Sequence, residues 1–106
     1  MGRYSIVLSD LANRDISDIF NDLVELTGET GTAVRVTDKI YDKIEKLSDF
    51  PGMCPLYEQS PFSGKGIRFL SAENYSVHYN TDDKRCIVNI LRIYNARRDP
   101  KKINIQ

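Results

Sequence analysis

The stretch CIVNILRIY at residues 86–94 decides the fold, and the cationic stretch NARRDPKK follows it directly at residues 95–102. A strand with one solvated face alternates strictly between apolar and polar residues. This strand is apolar at both alternating positions, so both of its faces need cover. We therefore expect the helices of the chain to cover one face of a small sheet and another polypeptide to cover the other face. The strand also delivers a cationic cluster to one end of that sheet.

The rest of the chain predicts two helices and three further strands around this segment. Alternating residues predict a strand at 3–8, and apolar residues at helical spacing predict helices at 10–27 and from 30–32 to about 50. After a loop at 51–65, strands are expected at 66–70, 74–80 and 84–94, and their short polar connections make them antiparallel hairpins. The order β-α-α-β-β-β predicts an α+β fold with two antiparallel helices packed on one face of a small, mainly antiparallel sheet.

Length and composition limit the class of protein. The 106 residues fit one domain, spanning 1–106, with a frayed tail at about 101–106. No apolar run is long enough for a membrane helix or a signal-peptide core. We interpret Cys54 and Cys86 as reduced thiols of a cytoplasmic protein, with Cys86 a small core residue.

The formal net charge of zero conceals two halves of opposite sign. Residues 1–58 contain six Lys or Arg against eleven Asp or Glu, whereas residues 59–106 contain nine against four. Such asymmetry permits binding to an acidic partner or to nucleic acid without deciding between them.

Several short sequence motifs along the chain together resemble those of a known protein family. They are YSIVLS at 4–9, the spacing of Ala12, Asp15, Ile16 and Ile19, FPG at 50–52, GIRFL at 66–70, NYSVHY at 74–79 and ILRIYNARRD at 90–99. In this order and at these spacings they resemble the toxins of the ParE/RelE superfamily, from type II toxin–antitoxin (plasmid stabilisation) systems. The closing phrase resembles the ParE side of the superfamily more than the RelE side. The resemblance covers almost the whole chain and implies a RelE/ParE-like fold.

The two sides of the superfamily imply different activities. ParE-like toxins inhibit DNA gyrase by binding it, whereas RelE-like toxins cleave mRNA on the ribosome without a metal, and an antitoxin neutralises both kinds. The resemblance therefore implies a cytoplasmic gyrase inhibitor that forms a hetero-oligomer with a cognate antitoxin, without a cofactor or metal. The alternatives are a ribosome-dependent mRNA endoribonuclease, whose partners would be the ribosome and mRNA, and an inactive relic that only binds antitoxin.

The cationic end of the sheet holds the residues that the resemblance and the charge pattern assign to the target. The predicted target-binding residues are Arg68, Arg92, Arg97 and Arg98. Arg92 has a second interpretation as a structural arginine bonded to a carboxylate, because a buried charge needs a partner.

A ribonuclease would instead use Lys65, Arg68 and Arg97 to stabilise charge on the phosphate. Three cations provide no acid–base pair near neutral pH, so enzyme activity is disfavoured. The single histidine, His78, lies inside a predicted strand and is interpreted as a residue that either packs or faces solvent on the sheet. No aspartate cluster has the spacing of a metal site.

The predicted sheet has more apolar residues than one helix-covered face would bury, which favours an antitoxin bound to its other face. A partner that lays a helix or strand on the open sheet face would bury the residues that the helices leave uncovered. The predicted antitoxin-binding residues are Phe69, Tyr79, Ile90 and Ile93.

Overall fold

Two helices and a four-stranded sheet make up the fold in a computed structural model that describes residues 3–54, 56 and 66–95. The elements, in chain order, are β1 (Ser5–Leu8), α1 (Asp10–Thr27), α2 (Thr30–Glu45), a 3₁₀ turn (Lys46–Ser48), β2 (Arg68–Ala72), β3 (Tyr75–Asp82) and β4 (Ile87–Asn95). The predicted order β-α-α-β-β-β is thus confirmed.

Local chemistry sets the two ends of α1. The Ser9 side chain accepts a hydrogen bond from the Ala12 backbone N–H at 3.0 Å, which caps the first turn. The same hydroxyl donates to the Leu91 carbonyl at 2.8 Å and so ties the helix start to β4. Gly28 ends the helix in the left-handed conformation, with φ at 71° and its N–H bonded to the Val24 carbonyl.

The sheet has the strand order β1-β4-β3-β2. The first strand pairs with β4 in parallel, and the other neighbours are antiparallel. Both helices pack on one face, where α2 buries Val36, Ile40 and Ile44 and α1 buries Ile16 and Ile19. The predicted fold class is therefore confirmed, with β1 supplying the one parallel pairing among the described strands.

A β-bulge in β4 explains why the strand is apolar at both alternating positions. Tyr79 pairs with Ile90 and His78 pairs with Arg92, so Leu91 is an extra residue between two ladder positions. Val88 and Ile90 before the bulge and Ile93 after it all lie in the same core cluster. The bulge shifts the core-facing positions from even to odd numbers. These three residues therefore all face the helices of the chain, and they do not require another polypeptide on the opposite sheet face.

Several local expectations were wrong. Helix α2 ends at Glu45 instead of near residue 50, and β4 begins at Ile87 instead of residue 84. Strand β2 extends to Ala72, so its link to β3 is the two-residue turn Glu73-Asn74. Cys86 is exposed rather than buried and sits in the turn before β4 with φ at 55°. Its position in a turn, outside the strand, removes it from the core.

Candidate partner-binding site

An ion pair between helix and sheet fixes the last part of β4. The Asp15 carboxylate accepts hydrogen bonds from Arg92 Nε at 2.8 Å and from Arg92 Nη2 at 3.0 Å. It also accepts from the Ile93 backbone N–H at 2.9 Å. Only 13% of each ionic side chain is exposed, so solvent screens the pair weakly. The geometry holds β4 against α1 three residues before the strand ends.

The electrostatics of this pair favour the charged state of Arg92. The hydrogen bond to Asp15 and the attraction of its carboxylate raise the pKa of the Arg92 guanidinium, against the opposing effect of burial. The fork of a guanidinium fits a carboxylate in this two-bond arrangement better than a lysine ammonium does. The structural interpretation of Arg92, a buried charge with a carboxylate partner, therefore describes its contacts.

A second arginine, Arg68, ties the segment after α2 to β2. Its Nη1 donates a hydrogen bond to the Cys54 carbonyl at 2.6 Å. Nearby, the Tyr79 hydroxyl donates to the Pro51 carbonyl at 3.0 Å. Burial is the largest of the effects that raise the pKa of the Tyr79 hydroxyl, so this group stays a neutral donor. Both side chains hold residues 51–54 on the sheet.

The sheet face away from the helices carries a stacked cluster of Phe69, His78 and Tyr94. The His78 ring lies 4.8 Å from the Tyr94 ring and 6.3 Å from the Phe69 ring, measured between centroids. Tyr94 Oη and His78 Nε2 are 2.9 Å apart, within hydrogen-bond distance. The His78 side chain is 0% exposed, and this burial lowers its pKa to about 4. At neutral pH the ring is therefore uncharged and enclosed, so of the two sequence-based alternatives for His78 the structure shows packing.

The residues predicted to bind the target or to cleave mRNA fall into two groups. Lys65, Arg97 and Arg98 lie outside the described residues. Arg68 and Arg92 are half-buried, and each donates to a protein acceptor as described above. These two arginines hold parts of the fold together. A role in contacting a target remains a prediction for Arg68, Arg92, Arg97 and Arg98, and a role in mRNA cleavage remains a prediction for Lys65, Arg68 and Arg97.

The predicted antitoxin-binding residues are mostly internal. Tyr79, Ile90 and Ile93 are 0–1% exposed beneath the helices, whereas Phe69 is half-buried on the opposite face. A partner that contacts the folded chain can therefore reach only the Phe69 side chain among these four. Their assignment to an antitoxin remains a prediction.

A groove between α1 and the ends of β3 and β4 was not predicted from the sequence. It encloses about 290 Å³, and its walls include Asp18, Asp22 and Leu26 on the helix and Tyr75 and Asn95 on the sheet. The sequence signal was present, because residues 15, 18, 22 and 26 recur at helical spacing on one stripe. Because that stripe is mostly acidic, its periodicity alone indicates a solvent-exposed helix face and gives no sign of a groove.

Two features that would suggest other classes of protein are not found in the described ranges. No helix there is long and apolar enough to span a membrane. The described His, Cys, Asp and Glu side chains form no group of three that would hold a metal ion.

Comparisons with known proteins agree with this architecture. A family model described as the ParE toxin of the type II toxin–antitoxin system parDE matches residues 6–100. No curated protein sequence matches the chain.

Two similar solved structures are toxin–antitoxin systems. A chain of the chromosomal ParDE system from P. aeruginosa has 20% sequence identity and a TM-score of 0.73, over 88% of this chain and 96% of that one. A chain of the RelBE2 toxin–antitoxin complex from Mycobacterium tuberculosis has 18% identity and a TM-score of 0.67, over 92% and 97%. At these identities the likeness is one of fold.

Proposed function

This chain belongs to the ParE toxin family of type II toxin–antitoxin systems, and we propose that it inhibits DNA gyrase by binding it and is neutralised by a cognate antitoxin. The family match over residues 6–100 is the observation that carries the proposal. The fold likeness to a chain of a RelBE2 complex supports mRNA cleavage as the second candidate.

The chemistry of the described residues supports binding rather than bond cleavage. Cleavage of a phosphodiester needs a group that transfers protons near neutral pH, besides cations that stabilise the phosphate. The histidine is enclosed, and its low pKa makes it a poor acid at pH 7. Arg68, one of the three predicted catalytic cations, is bonded to the Cys54 carbonyl.

The contact with gyrase is proposed to lie where β4 ends. Asn95 is the last described residue of the strand and is exposed, and Arg97 and Arg98 follow two and three positions later in the sequence. The Asp15–Arg92 pair fixes the strand just before this point. A rigid strand end is a suitable base for a cationic contact, because less conformational freedom is lost on binding.

Expression in cells with matched charge variants tests this assignment. Arg97→Ala/Arg98→Ala is expected to abolish growth arrest by the chain. The control is Lys84→Ala/Arg85→Ala, which removes the same charge from an exposed turn before β4. Growth arrest that survives in the first variant, or disappears equally in both, would contradict the assignment.

Co-expression tests neutralisation. The product of the reading frame adjoining this gene is expected to restore growth and to purify with the chain. Growth arrest that persists in the presence of the adjoining product, with no complex formed, would contradict the antitoxin part of the proposal.

A further inference from the structure

The groove beside α1 combines exposed carboxylates with exposed apolar surface. Its acidic side chains are Asp15, Asp18 and Asp22, and within the described ranges only Asp15 has an ion-pair partner, which is Arg92. Asp18 and Asp22 are exposed and form no ion pair with the described part of the chain. The groove therefore presents two carboxylates to whatever enters it.

The placement of acids on α1 is unfavourable to the isolated helix. The helix carries five Asp or Glu and one Arg, and its last turn has no basic residue. Acids near the C-terminal end of a helix are repelled by its dipole, and Glu25 lies in that last turn. Asp18 and Asp22 lie four positions apart, where like charges on a helix repel each other, and a cationic partner that neutralised them would relieve that repulsion.

The groove also has an apolar anchor point. Leu26 is 82% exposed, more than any other large hydrophobic side chain described, and it follows Asp22 by one helical turn. Tyr75 is half-buried on the opposite wall, and Ile93 lies at the base. Burial and the negative charge of Asp22 both raise the pKa of Tyr75, so the Asp22 carboxylate acts electrostatically across the groove. An apolar side chain seated between Leu26 and Tyr75 would lie beside two carboxylates.

We propose that this groove receives a cationic, amphipathic segment of the antitoxin, with Lys or Arg on Asp18 and Asp22 and an apolar side chain against Leu26 and Tyr75. The inference rests on the proposed function and specifies the chemistry of the partner. The basic residues after Asn95 in the sequence would attract an acidic antitoxin segment, whereas the carboxylates of the groove would attract a cationic one. Because Asn95 lines the groove, a segment bound there lies next to the strand end proposed to contact gyrase. Occupancy of the groove would therefore obstruct the target contact.

Titration calorimetry on purified full-length chain tests the proposal, with the product of the adjoining reading frame as the probe. Asp18→Asn/Asp22→Asn is expected to weaken binding about tenfold or more at about 0.05 M salt, and the loss should shrink at about 0.5 M salt. Leu26→Ser should weaken binding by about tenfold at both salt concentrations. The matched control is Asp38→Asn/Asp42→Asn, which removes two exposed carboxylates at the same spacing from α2.

The outcomes separate this inference from the function on which it rests. If the wild-type chain binds the probe and the α1 variants bind within about twofold of it, the groove proposal is wrong while neutralisation stands. If the wild-type chain does not bind the probe, the antitoxin part of the function fails and takes this inference with it.

A second copy of the chain is the competing occupant of the groove. Light scattering on the free chain would then show a dimer that Asp18→Asn/Asp22→Asn dissociates, and this result would also overturn the proposal.

Discussion

Removal of the Asp15 carboxylate is the sharpest test of how the strand end is held. Asp15→Ala deletes three acceptor contacts, two from Arg92 and one from the Ile93 N–H. It also leaves the Arg92 guanidinium, 13% exposed, without this anion. Breaking a buried ion pair from one side costs about 3–5 kcal/mol, because the remaining charge keeps its desolvation penalty. We expect a loss of about 3 kcal/mol in the free energy of unfolding, near the lower end of that range because each side chain retains some contact with solvent.

Urea unfolding followed by far-ultraviolet circular dichroism measures this loss. With a slope of about 1.5 kcal/mol per molar urea for a domain of this size, the midpoint should fall by about 2 M. Asp18→Ala is the control on the same helix, and its exposed carboxylate should contribute less than about 0.5 kcal/mol. In Asp15→Ala/Arg92→Ala the half-buried cation that Asp15 neutralised is gone as well, so the double variant should lose less stability than the two single variants combined. Equal stabilities of the Asp15 and Asp18 variants would show that the Asp15 carboxylate does not stabilise the end of β4.

Three further predictions concern stability. Because the pKa of His78 is about 4 in the folded chain and about 6.5 when unfolded, the unfolded state takes up the proton first as pH falls. Stability should therefore decline from pH 6.5 downward by about 3 kcal/mol at pH 4, and His78→Gln should flatten this dependence in urea titrations at each pH. Ser9→Ala removes the helix cap and the bond to Leu91, and should cost about 1–2 kcal/mol; a change below about 0.3 kcal/mol would contradict the capping geometry. Gly28→Ala meets no atom within 4 Å but strains a backbone with φ at 71°, so a thermal melt should show a loss of about 1 kcal/mol, whereas unchanged stability would refute the strain.

Features of the fold that depend on residues close together in the sequence were predictable. The end signals around residues 9 and 28 gave α1 its observed bounds of Asp10–Thr27, because capping depends on neighbours within one turn. The short polar links between the last three strands likewise predicted their antiparallel pairing, since links of that length allow only hairpins.

Features that join distant parts of the chain were not predictable in detail. Asp15 and Arg92 are 77 positions apart, and the sequence indicated only that a buried arginine would need some carboxylate. The bulge at Leu91 shifts the alternation of β4 by one position. Core-facing residues therefore occupy both even and odd positions, and the sequence pattern falsely indicates a strand with two apolar faces. The groove exists only where α1 meets the ends of β3 and β4, so no single stretch of sequence contains it.

The most direct test of the central claim is a cleavage assay with purified gyrase, ATP and supercoiled plasmid, stopped with detergent and digested with protease. We expect the chain to make linear DNA accumulate, with gyrase covalently attached before digestion, and to leave mRNA in a translating extract intact. Intact plasmid together with cut mRNA would contradict gyrase as the target, and intact plasmid together with intact mRNA would leave the chain without either toxin activity.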